Sequence, residues 1–329
     1  MILITGVAGY IGAITCANFL KAKEKIIGID NITTSSLKSI EYLKGFDNFT
    51  FYESDYANED TLNEICKNHK ISCVVHFAAN TQVYESTQNP LKYYENNISK
   101  MITLLKICDK FNINNFIFSS SAAVYGEPAT NDLINEDFPK NPINPYGMTK
   151  LMGEFILNDL ANAKKDFKFI ALRYFNVAGA SLIAPLGQFM PSSLLIKIAA
   201  ECASGKRDKM YLYGTDYNTP DGTCIRDFIH VDDLANAHIK AYEYLLKHKT
   251  SNAFNVGYSM GTSVKQVIDM MKKVSKNDFK VELANRRAGD PSKLVASNEK
   301  IKNLMNWDFK NNDLELICKS AYEWELNLK

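Results

Sequence analysis

Met1-Ile2-Leu3-Ile4-Thr5-Gly6-Val7-Ala8-Gly9-Tyr10-Ile11-Gly12 opens the chain. Ile2–Thr5 is a short apolar run, and Gly6, Gly9 and Gly12 follow it as Gly-x-x-Gly-x-x-Gly. Such a run, stopped by glycines, predicts a buried strand, a tight turn and the start of a helix. Glycines there let the backbone approach a pyrophosphate, whose charge then lies at the helix N-terminus. The stretch has no basic leader, and its glycines break the apolar run, so a first strand fits better than a signal peptide. Asp30 closes a second apolar run, Ile26–Asp30, 18 residues beyond Gly12. A carboxylate there accepts from both hydroxyls of a ribose and repels a 2′-phosphate, which points to NAD rather than NADP. Asp55, after the third run Phe49–Glu53, suits the adenine edge and a helix cap equally.

Working outward, Cys73–Ala78, Phe116–Ser119 and Phe169–Leu172 continue the series of short runs rich in Val, Ile and Phe. Amphipathic segments lie between them, among them Glu59–His69, Leu91–Phe111 and Tyr146–Ala161. Strands alternating with helices predict an α/β fold, a Rossmann-type doubly wound parallel sheet with helices on both faces. From about Asn176 loops with Pro and Gly separate shorter elements, with helices expected over Ser193–Ala203, Asp232–Leu246, Ser263–Val274 and Asp313–Leu326. The expected organisation is residues 1–175 as a dinucleotide-binding domain, which also receives strands from about 225–255, and 176–329 as a smaller α/β substrate lobe.

Composition narrows the partners. With 329 residues, 38 Lys and Arg against 37 Asp and Glu, and a net charge of +1, there is no electrostatic case for nucleic acid or an anionic membrane. No apolar stretch is long enough to span a bilayer. Seven cysteines and five histidines are scattered without ligand spacing, which predicts reduced thiols, a cytoplasmic location and no metal.

Tyr146-Gly147-Met148-Thr149-Lys150 is the one Tyr-x-x-x-Lys pair in the chain. The spacing puts phenol and amine on one helix face. The pair follows the fifth apolar run and Ser119-Ser120-Ser121, at the sheet's carboxyl edge, where open α/β sheets bind ligands. An ammonium and a cationic nicotinamide beside a phenol lower its pKa, so that it takes a proton from a sugar hydroxyl, and a serine holds or relays that proton.

Further segments extend the pattern: His76-Phe77-Ala78-Ala79, Phe118–Gly126, Pro145–Lys150, Arg173-Tyr174-Phe175-Asn176, Asp221–Val231 and Arg286-Arg287-Ala288-Gly289-Asp290-Pro291. On these motifs the chain resembles the UDP-glucose 4-epimerases of the extended short-chain dehydrogenase/reductase family. The resemblance implies reversible inversion at C4 of UDP-glucose and UDP-galactose through a 4-keto sugar, with tightly held NAD. It implies Ser121, Tyr146 and Lys150 as the catalytic trio. Gly6, Gly9, Tyr10, Ile11, Gly12, Asp30, Asn31, Asp55, Tyr56, Phe77, Ala78, Asn96 and Phe175, with Tyr146 and Lys150, would hold the cofactor. Asn176 and Leu195 would lie near the substrate, Tyr211 and Tyr213 would flank the uracil, Arg226 and Arg287 would bind the diphosphate, and Asp290 the uridine ribose. Three of only five arginines fall in the last two motifs, where a planar guanidinium suits phosphate.

The family's homodimer uses two helices of each subunit, here Leu91–Phe111 and Tyr146–Ala161. Met101, Leu104, Leu105, Leu151, Met152 and Phe155 are the apolar residues expected beyond the core stripe. The chain departs from the family at Ala123, where many relatives carry Thr, at Asn80-Thr81-Gln82, which lacks a lysine, and at Leu194, which replaces Asn or His. Leu294 stands where an aromatic residue would restrict the sugar pocket, leaving room for an N-acetylhexosamine, while Tyr84 replaces a glycine and could fill that space from the other side. Ala122-Ala123 occupy the Asp-Glu positions of the nucleotide-sugar 4,6-dehydratases and cannot supply their acid and base. The alternatives are another NAD-dependent nucleotide-sugar enzyme, such as a uronate epimerase or decarboxylase, and a non-catalytic NAD-binding regulator.

Overall fold

The computed structural model describes residues 1–328 except Ala129, Asn131, Ala288 and Gly289. Its first half is laid down as β1 (Ile2–Thr5), α1 (Tyr10–Lys21), β2 (Ile26–Asp30), α2 (Leu37–Leu43), β3 (Phe49–Glu53), α3 (Glu59–Asn68) and β4 (Cys73–His76). Then come α4 (Val83–Gln88), α5 (Pro90–Tyr94), a π-helical turn (Glu95–Ser99), α6 (Lys100–Lys110), β5 (Asn115–Ser121), a 3₁₀ turn (Ala122–Tyr125), α7 (Pro145–Ala163) and β6 (Lys168–Tyr174). The remainder is β7 (Asn176–Ala178), α8 (Leu195–Ala203), β8 (Lys209–Tyr213), β9 (Ile225–His230), α9 (Val231–His248), β10 (Asn252–Val256), β11 (Gly261–Ser263), α10 (Val264–Ser275), β12 (Lys280–Ala284), β13 (Lys293–Leu294), α11 (Glu299–Met305) and α12 (Leu314–Asn327).

Alternation along β1 explains the two-faced core. Ile2 and Ile4 join one apolar cluster with Ile14 and Phe19 of α1 and Ala235 and Ala241 of α9. Leu3, between them, joins the opposite cluster with Leu62 of α3, Leu104 of α6 and Leu157 of α7. Successive side chains of a strand point to opposite faces, so a continuously apolar strand requires helices on both sides. The seven-stranded parallel sheet runs β10-β6-β5-β4-β1-β2-β3. The strand order reverses between β1 and β4, which places the crevice for ligands outside the carboxyl ends of those two strands.

The expectation of strands from 225–255 entering this sheet divides. Asn252–Val256 pairs with β6 as its outer strand. Ile225–His230 instead centres a second sheet, between β11 and β13, with β7 also pairing to it. A separate parallel pair joins β8 with β12.

Candidate active site

Local structure brings the phenol to the sheet edge. Asn144 caps α7, its side-chain oxygen accepting from the Gly147 amide at 2.8 Å, and Pro145 starts the helix. Any side chain on Gly147 would meet the Ala123 carbonyl oxygen at 2.6 Å, so glycine lets the first turn of α7 rest on the 3₁₀ turn that follows Ser121. The Ser121 hydroxyl, which accepts from the Ala123 amide at 3.2 Å, then faces the same cavity as the Tyr146 phenol. One turn on, the Lys150 ammonium donates to the Ser119 carbonyl at 2.8 Å and sits 5.1 Å from the Phe118 ring centroid.

The Lys150 ammonium and a nicotinamide are expected to lower the phenol together, and Lys150 by itself does not. Burial pushes the Tyr146 phenol above its ordinary value, and the Ser121 hydroxyl acts the other way. Burial also pushes the Lys150 amine down to about 7. Within a site this dry the charged form of each group costs desolvation energy, so added positive charge is what would draw the proton off the phenol.

A cavity of about 570 Å³ gathers these groups and the glycine loop. Gly6, Gly9, Tyr10, Ile11 and Gly12 line one wall, followed by Asp30, Asn31, Tyr56, Phe77, Ala78 and Asn96. Gly6 has φ +71°, and a Cβ on Gly12 would meet the Gly6 oxygen at 2.2 Å, so the loop takes its shape only with glycine. Helix α1 has neither a side-chain cap nor an acidic residue in its first turn, as an anion-accepting N-terminus requires. These features fit a dinucleotide pyrophosphate. Asp30 is largely spoken for within the chain: it accepts from the Ala8 amide at 3.0 Å, the Ile32 amide at 2.9 Å and the Ser35 hydroxyl at 2.9 Å. A carboxylate accepts roughly four hydrogen bonds, so about one remains, fewer than the two expected for a ribose.

Ser121, Tyr146, Lys150, Phe175, Asn176, Arg226, Asp290 and Leu294 line the same cavity. Arg226 donates to Asp290 at 3.1 Å and to the Pro291 carbonyl at 2.8 Å, so two residues expected to touch different parts of a nucleotide touch each other. The other expected residues lie elsewhere. Asp55 is ion-paired with Lys100 at 2.5 Å, which holds its carboxyl below the ordinary value, and it does not line the cavity. Leu194 lines it where Leu195, already turned into α8, does not. Tyr211 and Tyr213 share one face of β8, with ring centroids 6.0 Å apart, and stand outside the cavity. Arg287 also stands outside, its guanidinium 3.8 Å from the Tyr213 ring centroid. Ala288 and Gly289 of the same motif lie outside the described residues.

Sequence reasoning missed Glu85 and Lys92, which line the cavity and pair with each other at 2.5 Å. Helix α4 ends at Gln88 and α5 begins at Pro90, so no helical spacing in the sequence signals that they meet.

A family model described as the NAD dependent epimerase/dehydratase family matches residues 2–257. A UDP-glucose 4-epimerase of Halalkalibacterium halodurans is 41% identical over 324 residues, covering 98% of this chain and 95% of the relative. The chain belongs to this NAD dependent epimerase/dehydratase family. Among solved structures of the family, the UDP-Glc/GlcNAc 4-epimerase of Campylobacter jejuni is 54% identical, with a TM-score of 0.87 and 98% of both chains covered. A UDP-glucose 4-epimerase from Brucella ovis in complex with NAD is 36% identical, with a TM-score of 0.93 over 100% of this chain and 98% of that one. The epimerase/dehydratase family therefore accounts for both the doubly wound sheet and the glycine loop.

Proposed function

We propose that the protein interconverts UDP-glucose and UDP-galactose by inversion at C4, with NAD held in the glycine-loop half of the cavity. The observation that carries this reading is the convergence of Ser121, Tyr146 and Lys150 on the same cavity as the glycine loop and Arg226. Bound NAD would supply reversible hydride acceptance at the sugar's C4. Tyr146 takes the proton from the C4 hydroxyl and returns it, Ser121 offers its hydroxyl to the phenol or the sugar oxygen, and Lys150 lends positive charge beside it. Arg226 offers a guanidinium to the diphosphate while the hexose meets Ala122, Ala123 and Leu294, which leaves the 4-keto sugar free to turn.

In this reading residues 1–175 with β10 hold the cofactor and the rest of 176–329 holds the UDP-sugar. Tyr211, Tyr213, Arg287 and Leu195 would then serve the nucleotide only if their segments close toward it. The Asp55 carboxylate would act on the adenine side through Asn31, whose amide lies 3.3 Å from it. Free cysteines, six of the seven buried, accord with a cytoplasmic protein.

A second activity on UDP-N-acetylhexosamines is favoured by two observations. Leu294 lines the cavity without an aromatic ring, and Tyr84 is 78% exposed and not part of its lining, so it does not fill the space expected of it. The name of the Campylobacter relative, which includes GlcNAc, supports the same extension. Incubating the protein with UDP-galactose and with UDP-N-acetylgalactosamine and separating the products tests both. Absence of UDP-glucose from the first incubation overturns the main reading.

We further propose a homodimer, on a revised set of residues. Met101, Leu104, Leu105 and Leu151 are buried within the chain, because α6 and α7 turn them onto the sheet and the neighbouring core. Phe155 of α7 remains 56% exposed, with Ile102 of α6 at 37% and Leu91 of α5 at 77%, as the apolar residues left for a partner.

A further inference from the structure

A buried polar network stands behind the cavity wall, and the proposed chemistry does not use it. Glu154 follows Lys150 by one turn of α7, so Tyr146, Lys150 and Glu154 form an i, i+4, i+8 row. Arg173 of β6 grips the Glu154 carboxylate with two nitrogens, Nε at 2.9 Å from Oε1 and Nη2 at 2.6 Å from Oε2. Both side chains are nearly inaccessible, 5% and 8% exposed. The Ser120 hydroxyl donates to the same carboxylate at 2.5 Å. Ser120 sits between Ser119, whose carbonyl holds the Lys150 ammonium, and Ser121, which lines the cavity with the phenol.

The network also reaches the substrate side. Arg173 Nη1 donates to the Tyr125 hydroxyl at 2.9 Å and to the Glu136 carbonyl at 3.1 Å. Tyr125 donates to Asn255 at 2.7 Å, and the Asn255 amide nitrogen donates to the Ile134 carbonyl at 2.7 Å. Ile134 is in turn hydrogen-bonded to the backbone of Val295 and Ser297, next to the cavity-lining Leu294. An unbroken chain of contacts thus joins α7 to the segment that follows the cavity-lining Leu294.

A buried ion pair of this kind is weak evidence for stability, since an apolar pair of similar volume is often as stable. What it gives that packing does not is direction: a planar fork gripping a carboxylate fixes both distance and orientation. We propose that Glu154, gripped by Arg173 and Ser120, is a positioning residue that fixes Lys150 and Tyr146 relative to Ser121 and the Leu294 strand. The proposal rests on the catalytic reading of Tyr146 and Lys150 given above.

The test uses the full-length, NAD-loaded protein and UDP-galactose. Glu154→Gln and Ser120→Ala are each expected to lower kcat about tenfold while KM moves less than twofold, the signature of reacting groups displaced without loss of substrate binding. The double variant is expected to be no slower than Glu154→Gln alone, because both changes break one contact. Arg173→Lys is expected to behave like Glu154→Gln, an ammonium being unable to reproduce the fork. Ser120→Ala removes a single hydroxyl, so it carries the test if Glu154→Gln does not fold. Lowered thermal midpoints with kcat unchanged would make the network structural and overturn the proposal. A wild-type protein without turnover overturns the catalytic reading and this proposal together, whereas full turnover in wild type and variants overturns this proposal alone.

Discussion

The ammonium of Lys150 lies 2.8 Å from the backbone oxygen of Ser119, inside the carboxyl end of the central sheet. Burial there lowers the amine to about 7 from an ordinary 10.5. The unfolded chain keeps its proton up to the ordinary value, so between those limits it binds more protons than the folded chain and stability rises with pH. In Lys150→Met this contribution is absent. Urea midpoints at pH 7 and pH 9 should therefore rise more for the wild type than for the variant, and parallel changes would show that the amine is not desolvated.

Tyr146→Phe removes one oxygen from a packed helix start, leaving the glycine loop untouched. Turnover of UDP-galactose should fall by about 10²- to 10⁴-fold, the usual worth of a positioned acid–base group, with NAD still bound. Near-normal turnover in the variant would remove the phenol from its role.

Asp30→Ala should weaken NAD binding and relax discrimination against NADP. The carboxylate also ties the Ala8 and Ile32 amides, so the loop around it should loosen as well. Titrating both cofactors into the stripped protein checks this. An unchanged preference would mean that another residue reads the ribose.

Leu294→Tyr should suppress turnover of UDP-N-acetylgalactosamine while sparing UDP-galactose. Overfilling a formed pocket costs about 1–3 kcal/mol, or roughly ten- to a hundredfold in rate. If both activities fall together, or neither moves, Leu294 does not bound the C2 substituent.

Phe155→Glu places a charge at the exposed apolar residue of α7 and should convert a dimer to a monomer in sedimentation at micromolar concentration. A wild-type protein that sediments as a monomer removes the dimer proposal.

The sheet was legible because its strands are short apolar runs separated by helices, and all six runs read from the first half became strands. Of the strands expected from about 225–255, β10 joined the sheet, whereas β9 pairs with β7, β11 and β13, a choice made by tertiary partners rather than by its own residues. That Ser121, Tyr146 and Lys150 share one cavity was legible because helical spacing and a strand end fix where those side chains lie. Tyr211 and Tyr213 came from resemblance alone, and strand parity sets both on one face of β8. Glu154 carried no signal in sequence, since a glutamate on a long helix reads as solvated until Arg173 arrives from a strand 19 residues away.

The π-helical turn Glu95–Ser99 sits inside an otherwise continuous helical stretch from Pro90 to Lys110. From that turn Asn97 donates to the Asn80 carbonyl at 3.0 Å and to Thr149, the neighbour of Lys150, at 3.1 Å. An α-helix advances about 100° per residue, so a single extra residue in the turn sets the angular phase between the segments on either side. Deleting one residue there would restore regular winding and rotate α6 relative to α5, so either Met101 and Leu104 leave the core or Asn96 leaves the cavity lining and Asn97 its contacts with Asn80 and Thr149. The helix can satisfy core and site at once only because it is out of step with itself in the middle.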